Sequence, residues 1–217
     1  MILAWLSTEV VKTQKQTVKL GSSMTSFMKK LDLMPTGGRW GNIPRLKDQV
    51  RKLANCTFNI SQTTIDENGV TENVRNLVVA EESAFHWAKN PDQADLWDSS
   101  ITLSDAFYQE IIEHPVPLDI EVLKALRRSP LALDIYSWLT YRTSYQKGRS
   151  KPITWESLQE QFGSQYQNNA QGRRDFKKKF KKHLSNVCKF YEGANVEVVD
   201  NGLVINKGRP SVAKVSK

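Results

Sequence analysis

The stretch RRDFKKKFKKHLSNV, residues 173–187, decides the fold of the C-terminal half. Phe176, Phe180, Leu184 and Val187 recur at spacings of three and four, so a helix gathers them on one face. The lysines fall on the remaining arc. Seven basic residues against one acidic residue give residues 173–182 a net charge of +6. The stretch therefore predicts a helix that packs by one face and presents positive charge on the other.

A second basic segment accounts for the rest of the positive charge. Residues 39–52 hold five basic residues against Asp48, a net charge of +4. The whole chain carries +8, so everything outside the two segments sums to −2. Charge concentrated in this way is what binding a polyanion needs, whereas a chain adapted only for solubility scatters both signs.

Composition narrows the class of protein. The 217 residues are 39% hydrophobic and include six Trp, enough for one large or two small folded domains. Cys56 and Cys188 lie far apart without a CxxC spacing, so we expect neither a disulfide framework nor a zinc cluster. We also expect no other metal and no cofactor. No apolar run approaches the about 18 residues of a membrane span, and the start MILAWL lacks a basic leader.

These features predict a soluble cytoplasmic protein that does not bind membranes. The chain begins abruptly on apolar residues that resemble the interior of a helix. We therefore expect a further N-terminal portion ahead of residue 1.

The segments around the basic helix predict a winged helix-turn-helix. Upstream, ITWESLQEQFG places Leu158 and Phe162 on one face of a short helix, with Thr154 as its N-cap and Gly163 at its end. The polar connector SQYQNNAQG follows. Downstream, NVEVVDNGLVINKG alternates apolar residues on both sides of residues 200–202, which is a hairpin signal.

The same order occurs earlier in the chain. SSMTSFMKKLDL predicts a short helix, MPTGGRWGN a connector, IPRLKDQVRKLANC a basic helix, and CTFNISQTTIDENGV a hairpin turning at Asn68-Gly69. Four apolar positions repeat at offsets of 131, 131, 130 and 130 residues: Phe27, Leu31, Leu46 and Val50 correspond to Leu158, Phe162, Phe176 and Phe180. The spacing predicts two copies of one winged-helix unit.

Each copy is preceded by a helix. WLSTEVVKTQ precedes the first, and SPLALDIYSWLTYRTSY precedes the second, with Ser129 as N-cap and Pro130 at the first helical position. Five apolar residues of the latter are predicted to be buried: Leu131, Ile135, Trp138, Leu139 and Tyr141.

The predicted fold is α+β and helix-rich, with two tandem winged-helix lobes. The N-terminal lobe spans residues 1–97, the C-terminal lobe residues 98–210, and residues 211–217 form a disordered basic tail. Residues 85–100 are predicted to connect the lobes. The second lobe is predicted to begin with the strand-like segments ITL and FYQEIIEHPVPLD.

Several of these segments resemble the plasmid-encoded RepA group of bacterial replication initiators. The similarity covers roughly residues 2–205, and SPLALDIYSWLTYR is its most specific piece; ITWESLQEQFG, RRDFKKKFKKHL and LGSSMTSFMKKLDLMPTGGRWG also carry it. The resemblance implies a protein that binds repeated double-stranded sequences (iterons) at a plasmid origin and helps to open the origin. It also implies recruitment of host replication proteins, a helicase and an initiator. Where homodimers form, the resemblance implies that they act in repression or origin pairing, while monomers bind the origin repeats.

The candidate DNA-binding residues lie at the two predicted recognition helices and near the second hairpin. Arg173, Arg174 and Lys177 are predicted to reach base edges, and Lys178, Lys181 and Lys182 to contact phosphates. The full set is Arg39, Asn42, Arg45, Arg51, Asn169, Gln171, Arg173, Arg174, Lys177, Lys178, Lys181, Lys182, Lys207 and Arg209.

Some of these residues have two interpretations. Asn42 either reads adenine or caps its helix, and capping is favoured. Trp40 is either a core residue or a ligand contact. Lys207 and Arg209 either contact DNA beside the hairpin or belong to a frayed tail. Gly37, Gly38 and Gly41 lack a GK[ST] context and are read as a turn that needs positive φ.

Other classes of function are less well supported. His183 and Cys188 are five residues apart and do not face each other on a helix, and no HExxH or GxSxG motif occurs, so we do not expect an enzyme. The sequence contains no RNP-type motif, so RNA binding is also less well supported. The main alternative is a winged-helix transcriptional regulator or repressor. Such proteins, however, usually carry one DNA-binding motif per chain and read a two-fold site as dimers.

Overall fold

The computed structural model describes residues 1–67, 69–86 and 98–212, without the side chain of Ile65. The chain forms two units, Met1–Pro115 and Val116–Lys217. The boundary therefore follows residue 115 and not residue 97. Residues 100–113 belong to the first unit because they pair and pack with its other elements.

The N-terminal unit alternates helices with short strands. Its elements are α1 (Ile2–Thr13), β1 (Thr17–Lys19), α2 (Met24–Lys30), α3 (Asn42–Ala54), β2 (Thr57–Asp66), β3 (Gly69–Val78), β4 (Ala80–Ala84), β5 (Ser100–Leu103) and α4 (Asp105–Glu113). Its core includes Leu6, Val10, Leu20, Phe27 and Met28, each fully buried. The two helices α2 and α3 contribute Phe27, Leu46 and Val50 to this core, as the sequence spacing predicts.

The C-terminal unit has the predicted order of elements. They are α5 (Ile120–Leu126), α6 (Pro130–Tyr145), β6 (Ile153–Thr154), α7 (Trp155–Phe162), α8 (Ala170–Phe190), β7 (Val196–Val199) and β8 (Gly202–Ile205). The predicted caps are confirmed: the Ser129 side chain accepts from Ala132 N, and the Thr154 side chain accepts from Ser157 N. Gly163 ends α7.

Both units contain a three-stranded sheet of the same topology. In the C-terminal unit the order is β6-β8-β7, and in the N-terminal unit it is β1-β5-β4. In each case the short strand before the helix-turn-helix pairs with the second strand of the following hairpin. This equivalence confirms the predicted fold class of two tandem winged helices.

The equivalence corrects the position of the first wing. β2 and β3 form a separate antiparallel hairpin from Thr57 to Val78, inserted between α3 and the β4–β5 hairpin. The prediction that this hairpin is the wing was wrong, because it has the turn signal but does not pair with β1. Residues 85–100, predicted to connect the lobes, join β4 to β5 within one unit; residues 87–97 lie outside the described part of the chain.

A second correction concerns the segment FYQEIIEH, which is helix α4 and not a strand. The Ser104 side chain accepts from Phe107 N and caps the helix. Phe107 and Ile111, four residues apart, then face the core of the N-terminal unit. The short apolar run in this segment fits a strand or a helix equally well, and the Ser104 N-cap favours the helix.

Aromatic rings cluster within the otherwise mainly aliphatic core of the C-terminal unit. Phe180 contacts Phe162 and Phe176 with centroids 5.6 and 5.5 Å apart, and Trp138 contacts Phe162 at 5.5 Å. Tyr136 is fully buried, whereas Tyr141, predicted to be buried, is 51% exposed. The helical spacing turns residue 141 away from the face that holds residues 135 and 139.

The end of the described chain is held in place. The hydroxyl groups of Ser211 and Tyr136 form a hydrogen bond. The predicted disordered tail therefore does not begin at residue 211, and its residues 213–217 lie outside the described part.

Candidate nucleic-acid interface

The turn between α7 and α8 fixes the start of the basic helix. Asn169 is the N-cap of α8, and its Oδ1 accepts from Gly172 N at 2.7 Å. A Cβ at Gly172 would lie 2.0 Å from the carbonyl oxygen of Gln167, so only glycine fits at this close approach. These contacts set where the first turn of α8 lies against α7.

The packing face of α8 agrees with the sequence prediction. Phe176, Phe180, Leu184 and Val187 are buried. On the opposite side, Arg174, Lys178 and Lys182 are spaced four residues apart and form what we call the basic stripe. All three side chains are exposed, and none makes an ion pair or hydrogen bond with another side chain in the described part of the chain.

Lys177 and Lys181 approach Trp155 of α7, and Lys177 also contacts the wing, the β7–β8 hairpin. The Lys177 ammonium donates to the carbonyl oxygen of Asp200 at 3.0 Å and lies 4.9 Å from the centroid of the Trp155 ring. Lys181 Nζ lies 5.4 Å from the same centroid. The Trp155 indole N–H also donates to the Asp200 carbonyl, at 3.1 Å. Trp155 therefore joins α7, α8 and the wing.

Sequence reasoning did not identify Trp155. It follows Thr154 directly, and 45 residues separate it from Asp200. No local pattern predicts a contact over that separation.

The polar residues at the start of α8 are engaged with each other. Gln171 Nε2 donates to both carboxylate oxygens of Asp175 at 3.0 Å. Arg173 donates to Asn168 Oδ1 at 3.2 Å. These side chains remain exposed, so their contacts orient them at the surface of the helix-turn-helix.

Lys207 and Arg209 lie at the other end of α8. Arg209 N donates to the carbonyl oxygen of Gly193, and the Tyr191 hydroxyl donates to the carbonyl oxygen of Arg209, both at 2.9 Å. The frayed-tail interpretation was therefore wrong. Tyr191 follows the end of α8, about 27 Å of helix rise beyond Arg173. The structure does not bring Lys207 and Arg209 together with the start of the helix.

The start of α3 differs from the prediction. Gly41 is the N-cap and supplies no side chain. Asn42 is the first helical residue, and its Nδ2 donates to the carbonyl oxygen of Met34 at 2.9 Å. Asn42 thus ties the preceding loop to the helix, and the prediction that its side chain caps α3 was wrong.

The glycines of this loop have different roles. Gly38 has φ of 78°, as the turn interpretation predicts. Gly41 does not have positive φ, but a Cβ there would lie 2.2 Å from the carbonyl oxygen of Gly37. Trp40, beside it, is 83% exposed, so its interpretation as a core residue was wrong.

The exposed charge of α3 is arranged differently from that of α8. Arg45 and Arg51 are exposed, while Lys52 pairs with Asp48 at 2.8 Å. At the 130-residue offset, the basic stripe of α8 corresponds to Pro44, Asp48 and Lys52 of α3. The two helices therefore present different surfaces on the same scaffold.

His183 lies at the margin of the packing face of α8. Its Nδ1 is 3.1 Å from the hydroxyl oxygen of Ser129, the N-cap of α6. Burial, with the charges of Lys179 and Lys182, lowers the pKa of His183 below its ordinary value. The lowered pKa favours the neutral imidazole, to whose Nδ1 the Ser129 hydroxyl can donate.

The sequence of this chain matches a known protein family. The family model described as plasmid encoded RepA protein matches residues 6–157, more than half of the chain. The chain belongs to the plasmid-encoded RepA protein family. The resemblance drawn from the sequence is thereby confirmed. The matched range ends in α7, so α8 and its wing lie beyond it.

Two solved structures share the fold. A crystal structure of RctB domains 2–3, residues 155–483, has a TM-score of 0.55 at 12% identity, covering 94% of this chain and 80% of that one. Selenomethionine RctB domains 2 and 3 give 0.58 at 12% identity, with 97% and 81% coverage. A search of curated proteins found no sequence match. Within the described residues, no helix is long and apolar enough to span a membrane.

Proposed function

We propose that this RepA-family protein is a plasmid replication initiator that binds repeated duplex sequences at its origin. The basic stripe carries the proposal. Arg174, Lys178 and Lys182 present three exposed cations from the second helix of a helix-turn-helix, the element that enters the major groove in proteins of this fold. Exposed cations with no side-chain partner in the described part of the chain are available to contact DNA.

Within this proposal, sequence reading belongs to Arg173 and Arg174, whose side chains lie in the first turns of α8. A guanidinium can donate two hydrogen bonds to guanine, and Asn168 already orients Arg173. Lys178 and Lys182 contact phosphates. Lys177 holds the wing through Asp200 and Trp155.

The N-terminal unit contributes a second, different contact. Arg45 and Arg51 are exposed on α3, but the stripe positions hold Pro44 and the Asp48–Lys52 ion pair. Two unlike helices on one chain suit an asymmetric site. The proposal also includes opening of the origin and recruitment of a host helicase and a host initiator protein. It places the protein in the cytoplasm and assigns it no catalytic activity.

Selection of bound duplexes from a random pool tests the proposal. We expect enriched sites that share one sequence and that occur as repeats in the cognate plasmid origin. Reversal of Arg174 and Lys178 to Glu should abolish enrichment. The matched control is Lys15→Glu, which reverses an exposed charge outside the recognition helices. A pool without any preferred sequence, or enrichment of RNA over duplex DNA, would refute the proposal.

A further inference from the structure

Trp40 exposes almost all of a large aromatic ring. The side chain is 83% exposed, although Trp is normally mostly buried. The Arg39 guanidinium lies over the ring, 5.3 Å from its centroid. With the cation over one face and the side chain so exposed, the other face remains open to a ligand.

The loop that carries Trp40 is closed by hydrogen bonds. Gly41 N donates to Gly38 O and Ile43 N donates to Thr36 O, each at 3.1 Å. Asn42 N donates to Thr36 Oγ1 at 2.9 Å. The backbone approach at Gly41 leaves no room for a side chain. The ring is therefore presented by a defined turn at the start of α3, which lowers the ordering cost of binding.

The surroundings indicate the chemistry of the ligand. Arg39 precedes Trp40 directly, and the first turn of α3 contains the exposed Arg45 and no acidic residue. An open aromatic face beside cations suits a flat base attached to a phosphate. Bases in a duplex stack on each other and present only their edges in the grooves. A base that stacks on Trp40 must therefore be unpaired.

We propose that Trp40 and Arg39 form a stacking site for an unpaired base of single-stranded DNA. This inference rests on the proposed function, since it takes DNA as the ligand, but it concerns the strands after opening. The Arg39 guanidinium supports one face of the indole, and the base occupies the other face.

The test compares single-stranded and duplex DNA of the selected sequence, using fluorescence anisotropy with the full chain. Trp40→Ala should weaken single-strand binding about tenfold, because stacking on an aromatic side chain contributes strongly per base. Trp40→Phe should restore most of that loss. Duplex affinity should change by less than about twofold in both variants. Thermal melting checks that the variants remain folded.

An abasic strand separates stacking from charge. It has the phosphates of DNA but no bases, so the wild type and Trp40→Ala should bind it equally. The inference fails if Trp40→Ala binds single strands like the wild type, or loses duplex and single-strand affinity alike. It also fails if the abasic strand shows the same loss. If the protein binds duplex DNA and its single-strand affinity does not depend on Trp40, only this inference is overturned. If the protein binds no DNA of any kind, the proposed function is overturned as well.

Discussion

The ammonium of Lys177 lies over the indole ring of Trp155, 4.9 Å from its centroid. The same ammonium donates to the Asp200 carbonyl at the tip of the wing, at 3.0 Å. Lys177 is a basic residue of the recognition helix, yet its charge faces the protein. Charge counting in the sequence does not distinguish such a lysine from the exposed lysines beside it.

We predict that Lys177→Ala lowers stability more than it alters sequence preference. Loss of the cation–π contact and the carbonyl hydrogen bond should reduce the free energy of unfolding by about 1–2 kcal/mol. Urea denaturation measures this change. Lys178→Ala on the basic stripe is the control, and its effect should stay within about 0.5 kcal/mol. Equal stability of the two variants would show that Lys177 does not hold the wing.

Arg174 and Lys178 should affect DNA binding in different ways. Arg174→Ala should lose about 1–3 kcal/mol of binding free energy on the selected duplex and much less on scrambled DNA. Lys178→Ala should weaken binding to both duplexes alike and reduce the salt slope by about one. Titrations on both duplexes measure the difference. Parallel losses for both variants on both DNAs would contradict the division between reading and phosphate contact.

Phe180 should be essential to the stability of the C-terminal unit. It is fully buried and contacts Trp155, Phe162 and Phe176. Phe180→Ala should cost about 3–5 kcal/mol of unfolding free energy through lost burial and the cavity left behind. Phe180→Leu, which keeps more of the volume, should cost much less. A loss below about 1 kcal/mol for Phe180→Ala would contradict its place in the core.

His183 should make the protein sensitive to mild acid. Its pKa is lowered in the folded state by burial and by Lys179 and Lys182, so the unfolded chain binds the proton more readily. Its stabilising contribution is complete above the unfolded pKa of about 6.5 and is lost as pH falls through the folded pKa. His183→Gln should flatten the dependence of stability on pH below about 6.5, the unfolded pKa. An unchanged profile would exclude His183 as the titrating group.

Much of the C-terminal unit was predictable because its signals are local. Thr154, Ser129 and Gly163 are helix caps within three or four residues of the groups they serve, and Phe176 and Phe180 follow the helical period. Local signals were also enough to predict the repeat of the winged-helix unit at an offset of about 130 residues. They placed the equivalent core residues Leu46 and Val50 correctly.

The errors concern features that depend on distant pairing. The β2–β3 hairpin has a good turn signal, but only pairing with β1 identifies the wing, and β1 pairs with β5 about 85 residues away. Asn42 looked like a cap because the closing of the loop onto Met34 is not visible in the local sequence. The contact of Trp155 with Asp200 is of the same kind.

The salt dependence of duplex binding tests the central claim most directly. If about eight cations of the recognition helices contact phosphates, log affinity should fall against log salt with a slope near −7. Neutralising the two phosphate-contacting lysines of the stripe, Lys178 and Lys182, should bring the slope to about −5. The control Lys15→Gln should leave it unchanged. A slope near zero, or a slope that the double variant does not alter, would contradict binding of DNA through the basic stripe.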